Sequence, residues 1–159
     1  MELRWSEFQI LALSSKPHFL SSEKEMELAP SSQQTSTETK RNLEALLSLR
    51  ERGYRVCLLS NTNPYMMQWA DKDFDGEGHP ISYFFDALYL SYECKAMKPR
   101  REIFEMMLQG QQSTPEETLF VDDGRRNVEM AASMGMQTLC PQNNEDWTEA
   151  LEALLKNAQ

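Results

Sequence analysis

Asp122 and Asp123 stand side by side at the end of an apolar run, "TLFVD". Adjacent like charges repel each other unless a cation lies between them or in front of them. Such carboxylates hold Mg²⁺, a hard cation that keeps several waters and uses only one or two protein carboxylates. In strand geometry the two side chains point to opposite sides, so one of them is expected to touch the metal directly. By itself the pair is also compatible with a helix N-cap, because helix N-termini favour negative charge.

A hydroxyl and a cation occur at comparable positions elsewhere in the chain. Ser60 ends the apolar run "RVCLLS" and is followed by Asn61 and Thr62, and Lys98 lies beyond a second apolar run, "ALYLS". Hydroxyls bind phosphate oxygens, and a lysine neutralises their charge. Alone, Ser60 or Thr62 is typical of a cap or a turn, and Lys98 of a solvated surface. The ordered set is more specific, and it predicts a site for a phosphate group with Mg²⁺.

The hydrophobic pattern predicts a scaffold that brings these residues together. Short apolar runs alternate with helical patterns, which indicates an α/β fold with a parallel sheet covered on both faces. The predicted strands cover 55–60, 87–91, 118–122 and 136–140. The predicted helices cover 37–51, 64–70, 99–108, 125–134 and 145–157, with Pro99 opening the third and Gly135 ending the fourth. In such folds ligands bind outside the carboxyl ends of the strands.

The N-terminal part of the chain lacks this alternation. We therefore divide the sequence into a helical segment of residues 1–35 and an α/β core of residues 36–159. Capping boxes that begin at Ser6 and Ser22 predict two short helices, and a buried strand at Phe8–Leu13 is the alternative, which periodicity alone does not decide.

Composition excludes several classes of function. The chain has 159 residues and a net charge of −9, which argues against nucleic acid and anionic membrane surfaces as partners. It has no apolar run long enough to span a membrane and no signal-peptide pattern. Its cysteines, Cys57, Cys94 and Cys140, form no CxxC pair and indicate reduced thiols in a cytoplasmic protein.

A second acidic stretch, "DKDFDG" (71–76), begins like a calcium-binding loop. A calcium loop requires Glu at its twelfth position, where this chain has Ser82. The stretch also follows a predicted helix rather than a strand. We interpret it as a solvated loop.

Three segments, "LLSNTNP", "LSYECKAMKPRREIFE" and "TLFVDDGRRNVEMAASMGMQTL", resemble the second, third and fourth motifs of the haloacid dehalogenase superfamily, most closely its sugar-phosphate phosphatase branch. The resemblance covers roughly residues 37–158 and implies a Rossmann-like core. Phospho-accepting receiver domains also combine an Asp pair, a hydroxyl and a lysine. In those domains the Asp pair comes first in the chain, whereas here it comes last.

The resemblance implies a role for each candidate residue on the substrate side. Ser60 would donate a hydrogen bond to the phosphoryl group. Asn61 would help to orient the substrate, and Asn127 would lie at the edge of the same site. The implied substrate is a small phosphorylated metabolite such as a sugar phosphate.

On the catalytic side, Lys98 would stabilise the nucleophile and the developing charge. Asp123 would be the Mg²⁺ ligand, with Asp122 beside it and close to Lys98. The implied reaction is Mg²⁺-dependent hydrolysis of a phosphate ester.

The superfamily's first motif is missing from this sequence. That motif is a strand ending in Asp-x-Asp, whose first Asp attacks phosphorus and whose second is the general acid and base. No Asp precedes Asp71. The central strand would lie between the first and third predicted strands, so the sheet should have a gap, be patched by Phe8–Leu13 or close directly.

Residues 1–35 weakly resemble the later part of the superfamily's helical cap. This suggests an N-terminally truncated phosphatase, and an unrelated extension is the alternative. Two functions follow: a phosphatase that is inactive as this chain, or a non-catalytic remnant that serves as a binding module.

Overall fold

The computed structural model describes residues 19–21, 37–142 and 145–157. Within these residues, strands and helices alternate and the strands pair in parallel, which confirms the predicted α/β fold. The strands are β1 (Phe19–Ser21), β2 (Cys57–Ser60), β3 (Ala87–Leu90), β4 (Leu119–Val121) and β5 (Gln137–Leu139). The α-helices are α1 (Thr37–Glu51), α2 (Pro64–Ala70), α3 (Ser91–Cys94), α4 (Arg101–Gln111), α5 (Arg125–Ser133) and α6 (Thr148–Asn157). Among the described helices, none has the length and apolar character needed to cross a membrane.

The strands form two hydrogen-bonded ladders that meet at β1. One ladder has the order β1–β4–β5, with Leu20 opposite Phe120, and the other pairs β2 with β3. The Cα atoms of β1 also come within 8 Å of those of β2. Phe19–Ser21 therefore occupies the place between β2 and β4.

This arrangement corrects the expectations for the centre of the sheet. The place is neither a gap nor closed by direct pairing of β2 with β4, because β1 pairs with β4 there. Residues 8–13, the predicted patch, and both predicted N-terminal helices lie outside the described residues. The proposed division at residue 35 remains a prediction, although β1 shows that part of the N-terminal segment joins the core sheet.

The core lies between the sheet and its helices. Helix α4 buries Ile103, Phe104, Met107 and Leu108, which recur at the helical period on one face. The Phe104 ring meets Phe120 of β4 edge-on, with ring centroids 5.1 Å apart. This packing anchors α4 against β4, the strand that carries the Asp pair at its end.

Two helix boundaries bear on the predictions. Pro99 does not open α4, which begins two residues later at Arg101, so that Lys98 and Pro99 belong to the preceding loop. Gly135 follows α5 with a φ of 101°, a left-handed conformation that glycine adopts without strain. That turn reverses the chain into β5.

Asp86 fixes the start of β2 beside β3. Its carboxylate accepts hydrogen bonds from the Val56 backbone N–H (2.7 Å) and from Arg50 Nε (3.0 Å). Its own N–H donates to the Val56 carbonyl at 2.6 Å. A side chain at the end of α1 and the residues that directly precede two strands are thus tied together at the edge of the sheet opposite the candidate site.

Candidate functional site

Lys98 and Asp122 form a buried ion pair at the carboxyl ends of the strands. Both side chains are fully buried, and Lys98 Nζ lies 3.6 Å from Asp122 Oδ2. Lys98 Nζ also donates a hydrogen bond of 2.7 Å to the Leu59 carbonyl. The ammonium therefore bridges the end of β2, which carries Leu59, and the residue that follows β4.

Asp122 is held by further hydrogen bonds from its own segment. The backbone N–H of Gly124 donates to Oδ1 at 2.7 Å, and Asn127 Nδ2 donates to Oδ2 at 3.0 Å. A side chain at residue 124 would disturb this arrangement, since a Cβ there would lie 2.6 Å from Asn127 Nδ2 and 3.0 Å from Asp122 Oδ1. Glycine is therefore the residue that fits between the two groups.

Burial has the largest effect on the pKa of the Asp122 carboxyl. It raises the pKa of this carboxyl from 3.8 to about 6, with the Asp123 charge adding to the rise. The Lys98 ammonium and the hydrogen bonds from Gly124 and Asn127 act in the opposite direction. The cation and donors around Asp122 thus offset only part of the cost of removing its charge from water.

Ser60 is a buried residue whose neighbour in the sequence contacts this ion pair. It directly follows Leu59, whose carbonyl binds Lys98. The residue is 0% exposed, and its Oγ has no hydrogen-bond partner among the described residues. A buried hydroxyl of this kind fits an acceptor supplied from outside the chain, such as a phosphate oxygen.

The two asparagines predicted to lie around the substrate are both bonded to the scaffold. Asn61 Oδ1 accepts the backbone N–H of Lys98 at 2.9 Å, and Asn61 Nδ2 donates to the Lys98 carbonyl at 3.0 Å. Asn127 Nδ2 donates to Asp122. The sequence motifs predicted both residues at the site, but their hydrogen-bond partners were not evident from the sequence.

A cation at this edge would be held by Asp123. Asp123 is a half-buried carboxylate that follows Asp122 directly after β4, at the carboxyl ends of the strands. One carboxylate oxygen supplemented by water suits Mg²⁺, so the residues fit this ion.

Cys140 is a neighbour of the site that the motifs did not indicate. Its thiol lies 3.8 Å from the Asp123 carbonyl, in a geometry in which the carbonyl accepts a weak hydrogen bond. Burial raises the pKa of the Cys140 thiol, and the charges of Asp122 and Asp123 raise it further. The available signal was its position immediately after β5, at the same edge of the parallel sheet.

The acidic loop after α2 is only partly the solvated loop predicted from the sequence. Asp75 is 7% exposed, and its Oδ1 accepts the backbone N–H groups of Glu77 (2.9 Å) and His79 (3.1 Å). Its Oδ2 lies 2.5 Å from His79 Nδ1. Asp75, Glu77 and His79 lie close enough to hold a metal ion, but Asp75 already organises the backbone and Glu77 pairs with Lys40 at 3.8 Å. We interpret the cluster as structural.

Comparisons with known proteins agree with the motifs. A family model described as haloacid dehalogenase-like hydrolase matches residues 31–135. A D-ribitol-5-phosphate phosphatase of Bacteroides thetaiotaomicron is 43% identical over 118 residues, which cover 74% of this chain and 57% of the relative.

Solved structures give the same result. A predicted HAD-like family hydrolase from Porphyromonas gingivalis superposes with a TM-score of 0.70 at 40% identity, covering 78% of this chain and 59% of the other. An Asp-to-Ala mutant of a HAD family enzyme from Bacteroides thetaiotaomicron, crystallised with magnesium and inorganic phosphate, superposes with a TM-score of 0.65 at 38% identity, covering 70% of this chain and 57% of the other. This chain thus spans less than two thirds of the length of these relatives.

Proposed function

Because the chain belongs to the haloacid dehalogenase-like hydrolases, we propose that its strand-end site binds Mg²⁺ together with the phosphate group of a small metabolite. The observation that carries the proposal is the buried Lys98–Asp122 pair, which bonds the carbonyl of Leu59 directly before Ser60, a buried hydroxyl without a partner among the described residues. The substrate class, a polyol or sugar phosphate, is supported by the similarity to the D-ribitol-5-phosphate phosphatase.

Each residue contributes an interaction that phosphate requires. The Ser60 hydroxyl donates a hydrogen bond to a phosphate oxygen, and the Lys98 ammonium balances negative charge in surroundings from which water is excluded. Asp122 holds Lys98 in place. Asp123 would hold Mg²⁺, which supplies further charge neutralisation when it is bound.

We further propose that this chain does not hydrolyse the bound ester. Hydrolysis of phosphate monoesters is accelerated by enzymes up to ~10²¹-fold, and the route implied by the family includes a carboxylate in line with phosphorus. The sequence has no Asp before Asp71, and the strand between β2 and β4 is Phe-Leu-Ser (19–21). We assign Asp122, which is buried and holds Lys98, to the metal side of the site and not to the nucleophile.

Calorimetry and a phosphate-release assay test the two parts. The purified chain should bind inorganic phosphate and D-ribitol 5-phosphate in the presence of Mg²⁺. Lys98→Met and Asp123→Asn should each weaken that binding by at least about tenfold. Lys95→Met, an exposed lysine in the same loop, is the matched control. The chain should release no phosphate from p-nitrophenyl phosphate.

Two results would contradict these proposals. No Mg²⁺-dependent phosphate binding by the purified chain would exclude the binding site. Robust phosphate release that is lost in Asp123→Ala would identify a working enzyme.

The first candidate is a phosphatase site that lacks only its nucleophile; the second is a binding module without phosphatase geometry, and a sequence with no Asp before Asp71 is compatible with both. The two candidates predict different effects of adding the missing carboxylate on phosphate release. A chain extended at its N-terminus by an apolar strand ending in Asp-x-Asp should gain Mg²⁺-dependent phosphate release if the site retains phosphatase geometry. The same chain with Asn-x-Asn is the control. A binding module would retain phosphate affinity without turnover in both extended chains.

A further inference from the structure

The loop that carries Lys98 has little regular structure of its own. It connects the end of α3 at Cys94 with the start of α4 at Arg101. Lys95 adopts a left-handed conformation with a φ of 53°, and Met97 is 50% exposed. Yet the next residue, Lys98, is buried and presents its ammonium to Asp122 at 3.6 Å. Such placement needs contacts from outside the loop.

The end of β2 supplies these contacts at both ends of Lys98. Asn61 binds the backbone, accepting the Lys98 N–H at 2.9 Å and donating to the Lys98 carbonyl at 3.0 Å. The Leu59 carbonyl binds the ammonium at 2.7 Å. The orientation of the Asn61 amide is unambiguous, because the opposite orientation would set its NH₂ group against the Lys98 N–H.

We infer that Asn61 is a positioning residue for Lys98 and does not select the metabolite. Its amide engages residue 98 at both its oxygen and its nitrogen, across 37 residues of sequence. The loop is therefore tied to β2, and the ammonium is delivered between β2 and Asp122. This inference rests on the proposed function in so far as Lys98 binds phosphate, but the placement of Lys98 can be measured without any ligand.

The first measurement is binding to two probes in the presence of Mg²⁺, inorganic phosphate and D-ribitol 5-phosphate. Asn61→Ala should weaken both by the same factor, about tenfold or more, since the loss arises at Lys98, which meets the phosphate group common to both. Asn63→Ala is the matched control: it removes the N-cap of α2, where Asn63 Oδ1 accepts the Met66 N–H at 3.0 Å, a hydrogen bond in which Lys98 takes no part. Affinity lost for D-ribitol 5-phosphate alone would overturn the inference.

The second measurement is acylation of lysines in the ligand-free chain, quantified by peptide mass spectrometry. The buried Lys98 should react far more slowly than the exposed Lys95 three residues earlier, which serves as an internal reference. Asn61→Ala should raise the ratio of Lys98 to Lys95 acylation at least about tenfold, and Asn61→Ser, which retains one hydrogen-bonding group, should fall between. Asn63→Ala should leave the ratio unchanged.

These results separate the inference from the proposed function. If the wild-type chain binds no phosphate, the proposed function fails and the acylation ratio alone decides the role of Asn61. An acylation ratio that is the same in wild type and Asn61→Ala, both folded by circular dichroism, would overturn the inference even if phosphate binds.

Discussion

The buried Asp122 should make the chain less stable as the pH rises from acid toward neutral, the reverse of the usual behaviour of an ion-paired carboxylate. Burial raises the pKa of Asp122 from 3.8 to about 6. The folded state therefore keeps its proton to a higher pH than the unfolded state. The contribution of Asp122 to the free energy of unfolding is therefore highest below pH 3.8. It falls as the pH rises from 3.8 to about 6 and then levels off.

The magnitude follows from the two pKa values. At 1.36 kcal/mol for each pKa unit, the displacement from 3.8 to about 6 corresponds to about 3 kcal/mol. Of this, about 2 kcal/mol falls between pH 4.5 and pH 7, a range in which many small domains remain folded. The side chain is fully buried, so solvent screening does not reduce this value as it would on the surface.

Urea unfolding of wild type and Asp122→Asn measures the effect. Both chains are unfolded at several pH values between 4.5 and 7 in buffer with EDTA, so that no divalent cation contributes. Asparagine has nearly the same shape and does not titrate, and the other carboxyl groups contribute to both chains. The stability of wild type minus that of Asp122→Asn should fall by about 2 kcal/mol across this range.

A constant difference between the two chains would refute the reasoning. It would mean that Asp122 is ionised in the folded state throughout this range and that Lys98 and the hydrogen bonds outweigh burial.

Two further predictions concern packing around the site and the acidic loop. Gly124→Ala should weaken Mg²⁺ affinity about tenfold, because the new Cβ would lie 2.6 Å from Asn127 Nδ2 and disturb the support of Asp122. Gly110→Ala, whose Cβ would clash with Tyr89 Oη, is the matched control and should change thermal stability but not Mg²⁺ affinity; equal Mg²⁺ affinity in both variants would contradict the role of Gly124. Asp75→Ala should lower the free energy of unfolding by about 1–3 kcal/mol at pH 7, because the N–H groups of Glu77 and His79 lose their acceptor. Burial acts to raise the pKa of Asp75, but the hydrogen bonds from the Glu77 backbone and from the side chain and backbone of His79 outweigh it, so the pKa is lowered. The stability that Asp75 contributes is therefore present above its ordinary pKa and lost as the pH falls through the lower, folded-state value; urea unfolding that shows no loss at pH 7 would contradict this role.

The elements of the core could be predicted from the sequence because their signals are local. Helical periodicity in 37–51 and apolar runs at 55–60 and 118–122 depend on residues that are neighbours along the chain. The structure has α1 at Thr37–Glu51, β2 at Cys57–Ser60 and β4 at Leu119–Val121. The spacing of apolar residues that suits a buried face differs between helices and strands, so this spacing alone predicts the type of element.

The membership of the family was also readable from the sequence. The segments around Ser60, Lys98 and Asp123 occur in a fixed order, each after an apolar run, and the family match over residues 31–135 agrees with them. Residue type and order are properties of the sequence itself. The role of each of these residues remains a prediction.

Which residue meets which partner was decided only by the tertiary structure. Every residue has a backbone C=O group and every residue except proline an N–H, so no sequence pattern shows that Lys98 Nζ meets the Leu59 carbonyl, or that Asn61 bonds the backbone 37 residues further on. The place of β1 beside β4 depends on pairing across about a hundred residues, for which a three-residue strand carries no periodic signal. Asp75 was predicted to be solvated because the sequence shows its charge. The sequence does not show the N–H groups that donate hydrogen bonds to the carboxylate and allow its burial, because they surround it only in the folded loop.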